Sequence, residues 1–393
     1  MVPKGWLKTN FGAVTEIANG QVDPKVEPYL SMLHIGPENV VSDSGQIIGV
    51  VTCKESNLIS GKYEFDENAI VYSKIRPNLN KVCRPRFKGV CSADMYPIWA
   101  KGELDIEFLL HFMLGPQFYK VAVAMSMRTG MPKINRSDLN TVTLLLPPVE
   151  EQKKIAQILS AWDKAITTTE QLLANSQQQK KALMQQLLTG KKRLLDKHGV
   201  RFSGEWKWLR ASELFKPVSK KNNSDSEELL AVTQDQGVLP RSLLERRVVM
   251  PDGSTNGYKL VVPGNFIISL RSFQGGLEYS GYRGLVSPAY TVLEPIKSID
   301  DEFYKHYYKS YDFIGHLAVA VIGIRDGKQI SYSDFSFLKL PYPSLEEQQK
   351  IAAVLSTADQ EISALQQKLD ALKQEKKALM QQLLTGKRRV VIE

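Results

Sequence analysis

The twelve residues KKALMQQLLTGK occupy positions 180–191 and recur without a substitution at positions 376–387. They are the best-preserved part of a longer repeat with a constant offset of 196 residues, because EEQKKIAQILSAWDKAI from Glu150 aligns with EEQQKIAAVLSTADQEI from Glu346. Upstream of each copy, SDLNTVTLLLPP faintly resembles SDFSFLKLPYP. The pattern predicts a chain of one globular segment and one long helix, written twice.

Both copies of the repeat carry the heptad pattern of a coiled coil. Apolar residues in the second copy recur at alternating spacings of four and three, as the a and d positions of a coiled coil do. They are Ile351, Leu355, Ala358, Ile362, Leu365, Leu369, Leu372, Leu379 and Leu383. The first copy keeps this frame with a more polar seam that includes Thr169, Ser176 and Lys180. We predict two helices of about 50 Å that pair antiparallel; pairing of either helix with another protein is the alternative.

The globular segments have the short runs of a mixed α/β structure. The stretches AIVYSKI at 69–75 and NFIISL at 265–270 are typical of strands. Helical spacing is present at 107–118 and 301–313, which occupy equivalent places in the two segments. Gly190 and Gly386 stand where a helix C-cap is expected. The predicted fold class is α+β, with two globular domains, two long helices and an internal pseudo-two-fold repeat. The predicted segments are a first domain (1–147), a helix (148–190), a linker (191–206), a second domain (207–342) and a second helix (343–388).

Composition excludes several classes of protein. The chain has 43% hydrophobic and 24% charged residues and a net charge of +9, which weakly favours an anionic partner. No apolar run approaches the roughly eighteen residues of a membrane span, and the N-terminus lacks a signal-peptide core. We therefore expect a cytoplasmic protein without membrane contact. Cys53, Cys83 and Cys91 have no metal-ligand spacing, so reduced thiols and no structural metal are expected.

A search for catalytic motifs finds no complete active site. The closest match to a phosphate loop, GIRDGK at 323–328, is one residue short and lacks the Ser or Thr after Lys. No glycine-rich strand-to-helix turn and no Asn/Asp-Pro-Pro-aromatic tetrapeptide is present in the sequence, and the five histidines are isolated. The chain is therefore predicted to be non-catalytic and to hold no cofactor. A nuclease or methyltransferase that acts alone is disfavoured.

Basic loops in both globular segments are candidates for DNA contact. In KIRPNLNKVCRPRFK at 74–88 no acidic residue interrupts the cations, and arginine forks read guanine edges or grip phosphates. The alternative is a solvated basic hairpin. Aligning SKIRP with ISLRS places Arg76 opposite Arg271, and a second pair of loops lies at 127–137 and 324–333. The residues predicted to contact DNA are Lys74, Arg76, Asn78, Lys81, Arg84, Arg86, Arg128, Lys133 and Arg136 in the first domain and Arg271, Ser272, Gln274, Arg283, Arg325, Lys328 and Gln329 in the second.

The helix openings LPPVEEQKKIAQILSAWD and LPYPSLEEQQKIAAVLSTAD, with the repeated KKALMQQLLTGK, resemble those of a DNA specificity subunit of type I restriction-modification enzymes. The layout of domain, helix, domain, helix fits that family over the whole chain. The resemblance implies that each globular domain is a target recognition domain for one half of a split, asymmetric site in double-stranded DNA. It implies that the helices act as a molecular ruler for the gap between the half-sites and that two modification subunits dock on them.

The resemblance also places the chemistry in other subunits. S-adenosylmethionine is expected in the modification subunits, and ATP and Mg²⁺ in restriction subunits, which are the further partners the family allows. No catalytic residue is expected in this chain. The competing hypothesis is a coiled-coil scaffold with basic protein-binding modules, which explains the repeat but not the acid-free basic loop.

Overall fold

A computed structural model describes residues 2–127, 132–221, 227–234, 236–244, 255–320 and 330–392. The chain divides into two compact units, each with most of its contacts inside itself. The first unit is Met1–Gln171 together with Gln367–Glu393, and the second unit is Leu172–Gln366. The division therefore runs through the two long helices rather than at their ends, and each helix contributes a half to each unit.

The first unit contains short strands and short helices, followed by one long helix. Its strands are β1 (Leu7–Asn10), β2 (Thr15–Ile17), β3 (Leu33–Ile35), β4 (Val51–Thr52), β5 (Tyr63–Phe65), β6 (Ile70–Ser73), β7 (Val82–Cys83), β8 (Gly89–Cys91), β9 (Met95–Ala100) and β10 (Thr143–Leu146). Its helices are α1 (Phe11–Val14), α2 (Ile106–Leu114), α3 (Pro116–Ser126), α4 (Arg136–Thr141) and α5 (Val149–Leu187), of which α5 continues into the second unit.

Two four-stranded sheets form the body of the first unit, in the orders β2-β9-β6-β7 and β4-β3-β8-β5, and β1 pairs with β10. All four residues of β6 are buried, as a continuous apolar run of this length predicts. The helical run at 107–118 is two helices, because Gly115 ends α2 and Pro116 begins α3. Proline suits a first helical position because its missing N–H has no partner there anyway.

The second unit repeats the pattern of elements. Its strands are β11 (Lys207–Arg210), β12 (Phe215–Val218), β13 (Leu230–Thr233), β14 (Gly237–Pro240), β15 (Lys259–Val261), β16 (Phe266–Ile268), β17 (Glu278–Tyr279), β18 (Gly284–Val286), β19 (Thr291–Pro295) and β20 (Lys339–Tyr342). Its helices are α6 (Ala211–Leu214), α7 (Ser272–Gly275), α8 (Asp301–Tyr307), α9 (Tyr311–Ala320), α10 (Tyr332–Ser336) and α11 (Leu345–Leu383), and α11 ends in the first unit.

The main sheets of the two units have one topology. The order β12-β19-β16-β17 matches β2-β9-β6-β7, and β11 pairs with β20 as β1 does with β10. Ile70 lies opposite Ile98 in its ladder, and Phe266 lies opposite Leu293. Because β2 and β12 pair with Ile98 and Leu293 in the same way, Ile70 corresponds to Phe266, at the 196-residue offset of the helices. Both the α+β fold and the internal repeat are therefore confirmed.

The sequence pairing of Arg76 with Arg271 falls just beyond these matched strands. Arg76 is the third residue after β6 and the N-cap of the 3₁₀ turn at 77–79. Arg271 is likewise the third residue after β16 and the N-cap of α7. The two arginines therefore follow the same strand of the two units, and their shared contact with DNA stays a prediction.

The halves of the long helices pack antiparallel within each unit. In the first unit, Asp163 of α5 contacts Lys376 of α11, and Glu170 further along α5 contacts the earlier residue Lys373. In the second unit, Leu187 at the end of α5 shares a core with Ile351 at the start of α11, as the heptad pattern predicts. Both helices have 39 residues.

The two long helices end at Leu187 and Leu383, a few residues before the predicted boundaries at 190 and 388, and a glycine follows each end. The amide of Gly190 donates to the Leu187 carbonyl at 3.2 Å, and Gly386 donates to Leu383 at the same distance. Both glycines have positive φ, at 71° and 66°, where a side chain would be strained. The residues after each glycine turn back onto the domain instead of extending the helix.

In the part of the chain that is described, no single helix is long and apolar enough to cross a membrane. The bent pair α2 and α3 meets the criteria of length and composition only when its two helices are taken together, and their apolar residues pack in the core of the first unit. Nor do the described residues hold a group of three or more His, Cys, Asp or Glu side chains arranged for a metal ion.

Candidate nucleic-acid interface

Two of the predicted loops meet along one edge of the first unit. Ile75 and Lys133 form an antiparallel bridge, and the amide of Arg76 donates to the Pro132 carbonyl at 2.9 Å. We name residues 74–78 and 132–136 the recognition edge. It brings together five of the predicted side chains, although they lie up to 62 positions apart in the sequence: Lys74, Arg76, Asn78, Lys133 and Arg136.

Arg76 is exposed and has a left-handed backbone, with φ 48° and ψ 56°. This conformation is unfavourable for a residue with a side chain and persists only when its surroundings fix it. Here the Arg76 amide is held by Pro132, and the Arg76 carbonyl accepts from the Leu79 amide at 2.9 Å. The backbone of the edge is thus fixed around an exposed guanidinium.

Arg136, at the end of this edge, is held by contacts with the rest of the domain. Its guanidinium donates to the Ala18 carbonyl, to Asn19 Oδ1 at 3.2 Å and to the Tyr63 hydroxyl at 3.2 Å. It also lies 5.1 Å from the centre of the Tyr96 ring. These contacts suit a supporting role for Arg136 better than direct contact with a ligand.

Other predicted cations in the first unit are engaged by the fold. Arg84 and Arg86 both pair with Glu107 in α2, and the Lys81 ammonium donates to the Pro37 carbonyl. The loop is free of acids in the sequence, but α2 brings Glu107 to it. Arg86 remains 64% exposed at its side chain, so it can still reach a ligand while paired.

The predicted residues of the second unit are placed less uniformly. Arg271 and Gln274 are exposed, whereas Ser272 is buried and its Oγ accepts from the Ser269 amide at 2.8 Å, which shapes the turn at α7. Arg283 pairs with Glu227 at 2.8 Å. Four predicted residues lie outside the described residues: Arg128, Arg325, Lys328 and Gln329.

A polar cluster joins the first domain to both helices and was not predicted from the sequence. His111 of α2 is buried, and its Nε2 shares a hydrogen bond with Ser160 Oγ of α5 at 3.1 Å. Its Nδ1 lies 3.8 Å from Asp163, which pairs with Lys376 of α11. Lys376 interrupts the apolar seam in the sequence, and the acid on the opposite helix accounts for it. We name this cluster the junction cluster.

The second unit has the same junction cluster. His306 Nε2 lies 3.2 Å from Ser356 Oγ, its Nδ1 lies 3.8 Å from Asp359, and Asp359 pairs with Lys180. Burial, reinforced by the nearby ammonium of Lys180, lowers the pKa of His306 to about 4. Burial and Lys376 lower the pKa of His111 to about 3. Both imidazoles are therefore neutral at neutral pH.

These depressed pKa values predict that acid destabilises the protein. Below the ordinary pKa of 6.5, the two histidines bind a proton in the unfolded chain, but in the folded protein they stay neutral down to about pH 4 for His306 and about pH 3 for His111. Each neutral histidine therefore makes its full contribution to the free energy of unfolding above pH 6.5. That contribution is lost as the pH falls from 6.5 to the pKa of the folded state. We expect a loss of roughly 2 kcal/mol per histidine between pH 7.5 and pH 5, measured by urea denaturation.

Matched variants isolate this contribution. His111→Gln and His306→Gln should each reduce the difference between the two pH values by that amount, since glutamine does not titrate. His198→Gln, at an exposed position, is the control and should leave the difference unchanged. An equal pH response in all variants would contradict the assignment to the buried rings.

A second repeated contact joins, in each unit, the start of one long helix to the segment after the other long helix and to the first residues of the domain. Glu151 at the start of α5 is buried and accepts from Arg389 Nη2 at 2.7 Å and from Trp6 Nε1 at 3.0 Å. The corresponding residues of the second unit are Glu347, Arg193 and Trp206. We name these contacts the closing clamps. In each clamp the second Glu of the repeated EEQ at the start of one long helix pairs with the arginine that follows the other long helix.

The glutamine of the same EEQ ties the helix to the domain. Gln152 Oε1 accepts from the Asp105 amide at 2.8 Å, and Gln348 Oε1 accepts from the Asp300 amide at 2.9 Å. Asp105 and Asp300 are the N-caps of α2 and α8. The helix-opening motif is thus a set of domain contacts used twice.

A groove of about 790 Å³ lies on the first unit beside α5 and the segment after α11. Ile158, Trp162 and Leu379 give it an apolar lining, and Lys154 and Arg388 stand among its polar lining residues.

The two units define a class of internally duplicated protein in which one α+β domain and two half-helices are assembled twice. The family model described as type I restriction modification DNA specificity domain matches residues 3–175 and again residues 203–374. The chain therefore belongs to this family, the DNA specificity subunits of type I restriction-modification systems.

Individual relatives agree with the family. The EcoDI specificity subunit of Escherichia coli is 38% identical over 156 residues, which cover 40% of this chain and 34% of that protein. The matched part thus spans about a third of the EcoDI subunit. The MjaVIII specificity subunit of Methanocaldococcus jannaschii is 26% identical over 419 aligned positions, covering 99% of this chain and 94% of the relative.

A solved chain from work on complex assembly and conformational transition of the type I R-M system has the same fold. It superposes with a TM-score of 0.60 at 20% sequence identity and covers 99% of this chain and 100% of that chain. At this identity the likeness shows the fold alone.

Proposed function

We propose that each domain of this specificity subunit reads one half of a split DNA site and that the two long helices set the gap between the halves. The observation that carries the proposal is one topology built twice with different side chains at its edges. Arg136 at the start of α4 corresponds to Tyr332 at the start of α10. Two unlike readers in a pseudo-symmetric chain call for two unlike half-sites, since the symmetry of a site follows that of its protein.

The partners follow from the same repeat. In KKALMQQLLTGK the buried leucines serve the cores of the units, but Lys181, Ala182, Gln185 and Gln186 are exposed, as are their identical counterparts in the second copy. An identical set of exposed side chains that is present twice suits contact with two copies of one protein, the modification subunit. The apolar groove beside Trp162, with its basic residues, offers an amphipathic segment a further contact in the first unit.

The division of chemistry is part of the proposal. The modification subunits would bind S-adenosylmethionine and swing the target adenine out of the stack, while restriction subunits would bring ATP and Mg²⁺. This chain would hold the duplex in register without a catalytic residue, in the cytoplasm where the DNA is accessible. Double-stranded DNA and the modification subunits are thus its immediate partners.

The test is adenine-methylation sequencing of host DNA with and without this gene. Deletion should remove one split, asymmetric methylated motif completely, and the wild-type gene on a plasmid should restore it. An unchanged methylome in cells that express the modification subunits would contradict the proposal.

A further inference from the structure

Asn19 contacts the recognition edge through Arg136, although nothing in the sequence near Asn19 suggests a role for it. It is exposed and follows β2, and its Oδ1 accepts from Arg136 Nη1 and from the Gly20 amide, each at 3.2 Å. Both neighbours can only donate, so the atom that faces them is the amide oxygen. The amide nitrogen, on the other side of the same plane, is the group left for a ligand.

The orientation of this amide is held by a rigid partner. The Arg136 guanidinium is fixed by the Ala18 carbonyl and the Tyr63 hydroxyl and lies over the rings of Tyr63 and Tyr96, at 5.5 and 5.1 Å. A donor that is oriented before binding loses little entropy when it meets its acceptor. Arg136 therefore positions Asn19 rather than competing with it.

Asn19 is linked by contacts to one of the predicted reading residues. Lys74 places its ammonium 5.0 Å from the centre of the same Tyr96 ring that supports Arg136. The carbonyl of Lys74 accepts from the Ile134 amide at 2.9 Å, which joins the two loops of the edge. Asn19 and Lys74 are thus connected through Arg136 and the Tyr96 ring, and Lys74 belongs to the same loop as Arg76.

The second unit lacks this arrangement. Ile17 and Pro217 occupy equivalent ladder positions, so Ser219 stands in the place of Asn19. Tyr332 stands in the place of Arg136, and its hydroxyl donates to the Phe215 carbonyl at 2.9 Å. A feature confined to one of two homologous domains suits the reading of one half-site.

We propose that Asn19 reads a base of the first half-site through its amide N–H group. Because its oxygen is already occupied by Arg136 and Gly20, it cannot make the bidentate amide contact to adenine, which needs a donor and an acceptor. Its donor instead selects a base that presents an acceptor in the major groove, which is the O6 or N7 of guanine, the N7 of adenine or the O4 of thymine, and not cytosine. The inference rests on the proposed function of the first domain.

Asn19→Asp tests the inference because a carboxylate can still accept from Arg136 and Gly20 but has no N–H to offer. The full chain, assembled with its modification subunits, would be assayed for binding to duplexes substituted at each base pair of both half-sites. We expect discrimination at one base pair of the first half-site to fall on the order of tenfold, with the second half-site unchanged. Asn19→Ala, which also lacks the donor, should relax the same base pair.

Asn68→Asp is the matched control for the added charge. Asn68 is exposed in the turn before β6, whereas the recognition edge follows that strand. An unchanged sequence preference in both Asn19 variants would overturn the inference, and so would equal weakening on every duplex, which marks a phosphate contact. A wild-type complex that recognises no split site would instead refute the proposed function itself.

Discussion

Inserting one heptad into each long helix, after Gln171 in α5 and after Gln366 in α11, is expected to lengthen the gap in the recognised DNA site by about three base pairs. Seven residues add roughly 10 Å of helix, and a base pair occupies about 3.4 Å of the duplex axis. A full heptad keeps the apolar stripe on one face. Both insertions fall at the boundary between the two units, so the pair of Lys376 with Asp163 and that of Lys180 with Asp359 stay within their own units.

The measurement is methylation sequencing of cells that carry the doubly extended chain. Both half-sites should remain unchanged while the gap grows. The same insertion in α5 alone is the control, because it shifts the helices by seven residues and cannot preserve both lysine–aspartate pairs; methylation should then be lost. Altered half-sites with an unaltered gap would refute the ruler.

Replacing Glu347 by alanine should destabilise the second unit strongly. Its buried carboxylate accepts from Arg193 Nη2 at 2.7 Å and from Trp206 Nε1 at 3.0 Å. Arg193 is only 19% exposed at its side chain, so the substitution leaves a mostly buried cation without its counter-charge. Loss of one partner of such a pair costs roughly 3–5 kcal/mol, and we expect the melting temperature of the second unit to fall by at least about 6 °C.

The chain supplies its own control for this experiment. Glu346 precedes Glu347 in the first turn of the same helix and is exposed. Glu346→Ala removes the same charge from the helix N-terminus, which is worth only about 0.3–1 kcal/mol. Calorimetry that shows equal shifts for both variants would mean that the closing clamp contributes nothing beyond this charge.

The long helices could be predicted from the sequence because their signals are local. Heptad spacing and the C-cap glycines Gly190 and Gly386 depend on neighbours within a few turns. The polar residues of the seam were less informative. Lys180 weakens the stripe in the sequence, and only the fold shows that Asp359, 179 residues away, pairs with it.

The candidate site was predicted in part. Arg76 and Lys133 were recognised as exposed loop cations, and the structure brings their loops together. The partners of the other cations could not be recognised, because Glu107 reaches Arg84 and Arg86 only through the packing of α2. Asn19 was missed for the same reason, since its orienting partner Arg136 lies 117 residues further along the chain.

The closing clamp of the first unit also sets the order in which the molecule is completed during synthesis. Arg389 follows Glu151 by 238 residues, and the first unit includes Gln367–Glu393. At about 5–20 residues per second, the ribosome needs roughly 10–50 s to cover this distance, and it finishes Leu172–Gln366 on the way. The N-terminal domain is therefore the last to obtain all its contacts. A chain released before Arg389 has a complete second reader and an unfinished first one, so translation must run past the second helix before both readers are complete.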